Sequence, residues 1–117
     1  MVNSVATLPL YESISAVFDA AGRATVRIGP SRYGESWHIT LSTITTNSVL
    51  QTSFRYYRQH ETPSSQFDIS LFNGNNDVSD SVVDLAPMEQ VMGIWAGGTP
   101  GRIATLIVQG QVKVSGR

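Results

Sequence analysis

Residues 12–28 read Glu-Ser-Ile-Ser-Ala-Val-Phe-Asp-Ala-Ala-Gly-Arg-Ala-Thr-Val-Arg-Ile, and this stretch decides the fold class. Ile14, Ala16 and Phe18 alternate with Ser13, Ser15 and Asp19. Further on, Ala24, Val26 and Ile28 alternate with Arg23, Thr25 and Arg27. A period of two places one set of side chains on each face of a strand and is incompatible with a helical stripe. Between the two runs, Asp19-Ala20-Ala21-Gly22 has the composition of a tight turn, with Gly22 able to take a positive φ. The segment predicts two strands joined as a hairpin, ended by Gly29-Pro30 because proline donates no ladder hydrogen bond.

The same signal recurs downstream. Trp37, Ile39 and Leu41 alternate with His38, Thr40 and Ser42 within 36–46, and a slip of phase at Ile44 predicts a bulge. A strand is predicted from Val49 to about Gln59, with Phe54 and Tyr56 opposite Arg55 and Tyr57. Another contains Phe67, Ile69 and Leu71, and the cluster Asn73-Gly74-Asn75-Asn76-Asp77 then reads as a turn. Residues 91–96 and 103–108 are apolar on both faces. Such strands lie centrally in a sheet or bury their outer face against another subunit. Gln111–Val114 reads as a short edge strand. No stretch holds helical periodicity for three turns. The expected fold is all-β, an antiparallel β-sandwich or jelly roll of about eight short strands.

With 117 residues the chain suits one domain, read as 12–117 preceded by an extended N-terminal arm over 1–11. That arm carries Val2, Val5, Leu8, Leu10 and Tyr11, and no charge before Glu12. It is expected to leave the sandwich near Glu12 and pack on a neighbouring subunit; the alternative is an extra edge strand on its own sandwich. Lys+Arg is 8 against Asp+Glu 9, a net charge of −1. That balance argues against nucleic-acid binding and against a polybasic membrane contact. The N-terminus lacks the basic and apolar regions of a signal peptide, and no run is long enough to span a bilayer. Charged residues make up 15% of the chain, below the quarter common in soluble domains, which suits surfaces covered by partners.

Cysteine is absent, so there is neither a disulfide framework nor a thiolate. His38 and His60 stand 22 positions apart with no Gly-x-Ser-x-Gly elbow, and read as solvated or interface histidines. Asn73, Asn75, Asp77 and Asp84 match part of a calcium-loop spacing, but Val78 stands where the loop needs glycine. Gly97-Gly98-Thr99-Pro100-Gly101 lacks the Gly-Lys-Ser/Thr ending of a phosphate loop. No catalytic residue, metal ligand or cofactor is assigned, and an enzyme is not expected. Trp37 and Trp95 read as core, Tyr33 and Tyr57 as surface aromatics.

One set of motifs carries a resemblance. Asp19-x-x-Gly22-x-Ala24-x-Val26 leads to Gly29-Pro30 and Gly34-x-x-Trp37. Trp95-x-Gly97-Gly98-x-Pro100-Gly101 and Ala104-Thr105-Leu106-x-Val108-x-Gly110 follow near the end. In this order the chain resembles small β-sandwich structural proteins of actinobacterial tailed phages and prophages, over most of residues 12–112. The resemblance implies a non-enzymatic virion component made in the bacterial cytoplasm, a capsid decoration or minor capsid protein. Its partners would be capsid or other virion proteins and its own copies, with a trimer the natural oligomer. Expected interface residues are Val2, Val5, Leu8, Leu10, Tyr11, Tyr33, Tyr57, Ile94, Ile103 and Ile107. The alternative is a tail-associated module binding a host surface glycan through Tyr33 and Tyr57.

Overall fold

The computed structural model describes residues 5–72 and 76–115. Nine strands are found among them: β1 (Val5–Val17), β2 (Ala24–Ile28), β3 (Glu35–Thr46), β4 (Thr52–Arg58), β5 (Gln66–Phe72), β6 (Asn76–Ser79), β7 (Val83–Leu85), β8 (Val91–Ala96) and β9 (Ile103–Ser115). One sheet has the order β1-β9-β3-β6, with β7 also on β3; the other has the order β2-β8-β4-β5. Every pair is antiparallel. The chain is an all-β sandwich, as the alternation predicts.

Register explains how the two sheets arise from one chain. Ser13 faces Ile107, Ala24 faces Trp95, Thr43 faces Val78 and Arg55 faces Ile69. All four pairs are centred near residue 60, so the backbone is one long antiparallel ribbon doubled at the loop after β4. A second set of pairs, such as Thr43 with Ile107 and Phe54 with Trp95, closes the rolled ribbon on itself. With β6 and β7 taken as one interrupted strand, this nesting of β1 on β9, β2 on β8, β3 on β6/β7 and β4 on β5 is the strand order of a jelly roll.

Rolling overturns the hairpin expected at 12–28. β1 and β2 lie in different sheets, and residues 18–23 form a corner between them. The turn chemistry is as read: Asp19 Oδ1 accepts the Ala21 and Arg23 N–H groups, each at 2.9 Å, and Gly22 sits at φ +77°. Yet the Gly22 carbonyl accepts the Gly98 N–H at 2.9 Å, and the Phe18 ring is buried against Gly98. The corner therefore docks on the 97–101 corner, while β1 and β2 take β9 and β8 as partners. Those are the two runs that are apolar on both faces, and both strands are central in their sheets.

Three further expectations shift. The bulge in β3 falls at Thr40, between Ile39 and Leu41, so Leu41 turns outward and Ser42 and Ile44 face the core. The strand expected from Val49 begins at Thr52, after a corner at 47–51. The edge strand expected at Gln111–Val114 is the end of β9, held between β1 and β3. Between the sheets pack Phe18, Trp37, Ile39, Ile44, Phe54, Tyr56, Leu85, Trp95, Leu106 and Val108, all nearly inaccessible to water. The rings of Phe54 and Trp95 are 4.8 Å apart and tilted by 53°, a favourable aromatic geometry.

Residues 5–11 follow the alternative weighed for the arm. They continue β1, with Val5 opposite Ser115 and Tyr11 opposite Gln109. Met1–Ser4, and Val2 with them, lie outside the described residues, as does 73–75 of the Asn-rich turn.

Candidate assembly surfaces

The two sheets present different outer faces. On the β1-β9-β3 sheet, odd-numbered residues of β1 and β9 point away from the core, joined by Leu41, Thr43 and Thr45. Successive rows hold Val17 and Ile103, then Ser15, Thr105 and Thr45, then Ser13, Ile107, Thr43 and Val78, then Tyr11, Gln109 and Leu41. None carries a charge. Val17 is 60% exposed, Ile103 46%, Val78 56% and Tyr11 64%. A solvated sheet face is ordinarily studded with Lys and Glu, which keep it soluble and unpaired. Here hydroxyls and branched aliphatics stand instead, with Ser15 and Thr105 hydrogen-bonded at 2.7 Å. At the far end of the face stand Lys113, opposite Ser36, and Asp84, opposite His38.

On the β2-β8-β4-β5 sheet the outer face carries Arg23, Arg27 and Arg55 around a small buried cluster of Tyr57, Met92 and Ile94. Arg23 pairs with Glu61 at 2.8 Å, and Arg27 donates to the Gln59 carbonyl at 3.1 Å. These two contacts tie the loop after β4 to this face. Tyr57, expected at the surface, is 5% exposed and clusters with Met92 and Ile94, the latter 6% exposed.

The remaining interface candidates divide by position. Leu8 and Ile103 are exposed, Ile107 is half-buried, and Leu10 is in the core at 4% exposure. Tyr33 is 98% exposed on the turn before β3, far in sequence from other exposed aromatics. Val5 belongs to β1. The face brings together Tyr11, Ile103 and Ile107 and adds Val17, Leu41 and Val78. Sequence reasoning missed these three: alternation sets Val17 between core positions and puts Leu41 on the core face with Trp37 and Ile39, and only the bulge at Thr40 turns Leu41 outward.

His38 Nδ1 lies 2.5 Å from Asp84 Oδ1, across the β3–β7 pair. Ser36 stands two residues along the same face, opposite Lys113, and no hydrogen bond joins it to His38. The depression there is open to solvent and measures about 290 Å³. His60 is exposed in the loop after β4. Among the described residues, no three His, Asp or Glu side chains come together as a metal site, and no helix is long and apolar enough to cross a membrane.

The arrangement defines a class: an antiparallel jelly-roll sandwich whose most distinctive surface is an uncharged sheet face. Compared with protein-family models and with curated proteins, the chain matches none.

Proposed function

We propose that the chain is a non-enzymatic structural subunit of an actinobacterial phage particle, a capsid decoration or minor capsid protein. It would stabilise the shell by contacts between subunits, binding the assembled form and so favouring it by mass action. One observation carries the reading: the uncharged, partly apolar outer face formed by β1, β9 and β3, with Ile103, Ile107 and Tyr11 in it. Jelly rolls are a recurrent architecture of viral shells, which supports the reading by likeness of fold. Its partners are capsid or other virion proteins and further copies of itself, and its place is the virion, after assembly in the host cytoplasm.

The test is particle-based. Imaging an intact particle should locate the chain in its density, and Ile107→Lys should abolish rebinding to particles stripped of it. Absence from the particle, or undiminished rebinding of the variant, overturns the proposal. The glycan-binding alternative rested above all on Tyr33 and Tyr57, of which Tyr33 is exposed and Tyr57 is buried.

A further inference from the structure

Among the described residues, no strand pairs with the outer edge of β1, which bonds to β9 alone. Which backbone groups lie on that edge follows from parity. Phe18 N–H donates to the Arg102 carbonyl at 2.8 Å, and the register places Phe18 opposite Arg102, one step beyond Val17 and Ile103. Opposed residues in an antiparallel pair alternate between hydrogen-bonded and non-bonded. Even-numbered residues of β1 are therefore bonded to β9, and odd-numbered ones turn their N–H and C=O groups to the free edge. Pro9 is odd, so the donor it lacks is missing from the free edge and not from the β9 ladder, the position where a strand tolerates proline.

The edge open to pairing is then bounded. Pro9 interrupts it on one side and the corner at Asp19 ends it on the other. Between them Tyr11, Ser13, Ser15 and Val17 offer an unbroken row of donors and acceptors about 24 Å long. The window is symmetric about Ile14. A second copy laid antiparallel with its Ile14 beside the first sets Tyr11 against Val17 and Ser13 against Ser15, and places Pro9 opposite Asp19, beyond the ladder. Sliding the register by two residues either brings Pro9 opposite a bonding residue or pushes Tyr11 past the end of its partner.

Side chains agree with the backbone. In that register Tyr11 and Val17, two of the exposed large apolar groups, become cross-strand neighbours on the outer face. The half-buried Ile14 meets its own twin on the two-fold axis, and Glu12 faces Ala16, away from the Glu12 of the other copy. No like charges oppose each other; Glu12 is the one charged side chain within the window, and Pro9 stands just beyond its limit.

We infer that the isolated protein forms a two-fold dimer by antiparallel pairing of β1 edges over residues 11–17, joining the two β1-β9-β3 sheets into one. Four bonded residue pairs carry about eight backbone hydrogen bonds, and the uncharged faces of the two copies become continuous. The contact is isologous, so it closes at two copies, in place of the trimer anticipated from resemblance.

Light scattering across a concentration series on the isolated full chain is the experiment, read beside amide exchange. The native protein is expected to have twice the mass of one chain, with protected amides at Tyr11, Ser13, Ser15 and Val17. Ser13→Pro removes a free-edge donor, as Pro9 already does, and is expected to keep the native circular dichroism while raising the dimer dissociation constant at least about tenfold. Ile14→Pro, on the parity bonded to β9, is expected to lose the fold. A monomer or trimer for the native chain, fast exchange at those four amides, or an undiminished dimer in folded Ser13→Pro overturns the inference. Ser13→Lys, which keeps the N–H but sets a charge in the window, serves if the proline variant does not fold, and an undiminished dimer there overturns it equally. These readings need no phage particle, so the dimer and the proposed function fail separately.

Discussion

The Ser42 hydroxyl lies 2.9 Å from the Tyr56 phenol oxygen, and this buried contact joins β3 of one sheet to β4 of the other. It is flanked by a second crossing, in which Asp68 on β5 accepts hydrogen bonds from Ser79 on β6 and from Ser81 at 3.1 Å. Polar groups enclosed between sheets must find partners, since an unsatisfied one costs about 1–3 kcal/mol. Tyr56→Phe leaves the Ser42 hydroxyl without its partner and should lower stability by about 1–2 kcal/mol in urea unfolding. Ser42→Ala should cost a similar amount, and the double variant less than the two together.

The same contact sets an alkaline limit. Burial pushes the Tyr56 phenol up from 10.0 to about 12; the Ser42 hydrogen bond opposes this, and the nearby Asp68 charge adds to it. A folded value above the unfolded one gives stability that is complete below pH 10 and is lost as pH rises toward 12. Ultraviolet titration of native protein should show one of the four tyrosines ionising late, and Tyr56→Phe should remove that step.

Acid acts through a different loop. Glu89 Oε1 accepts the Ala86 N–H and an Arg58 N–H, both at 2.7 Å, and these bonds hold its carboxyl below the usual carboxylate range. With the folded value depressed, the stabilisation is present above the unfolded value and fades as pH falls through the folded one. Glu89→Gln should melt lower than the native chain near neutrality. The gap should narrow on acidification to about pH 3, followed by thermal denaturation.

Two close-packed glycines differ in what surrounds them. A Cβ on Gly110 would stand 2.0 Å from the His38 carbonyl oxygen, at the bulge where β9 passes β3. Backbone cannot yield there cheaply, so Gly110→Ala should destabilise by about 3 kcal/mol or more. At Gly93 the nearest atoms, 2.7 Å and 3.0 Å away, belong to the Phe54 ring, which can shift. Gly93→Ala should cost about 1–3 kcal/mol. Equal losses in chemical denaturation would contradict this ordering.

At the 18–23 corner, Asp19→Ala removes the acceptor of two backbone N–H groups and should cost about 1–2 kcal/mol in the same assay. An unchanged midpoint would show that water satisfies the corner equally well.

Sequence by itself determined the strands, the core aromatics Trp37 and Trp95, and most turns, because a period of two and turn residues are local properties. It also held the doubly apolar runs 91–96 and 103–108 that become central strands β8 and β9. Partner choice was decided only by the tertiary structure. The alternation of 12–28 fits a hairpin as well as two strands of different sheets, and the corner at Gly22 and Gly98, with Phe18 beneath it, selects the second. The outer face was likewise hidden. Tyr57 alternates outward yet is buried in a cluster with Met92 and Ile94, and Leu41 reads as core until the bulge at Thr40 reverses it. Such long-range pairings depend on residues some ninety positions apart, such as Ser15 and Thr105, and no local pattern encodes them.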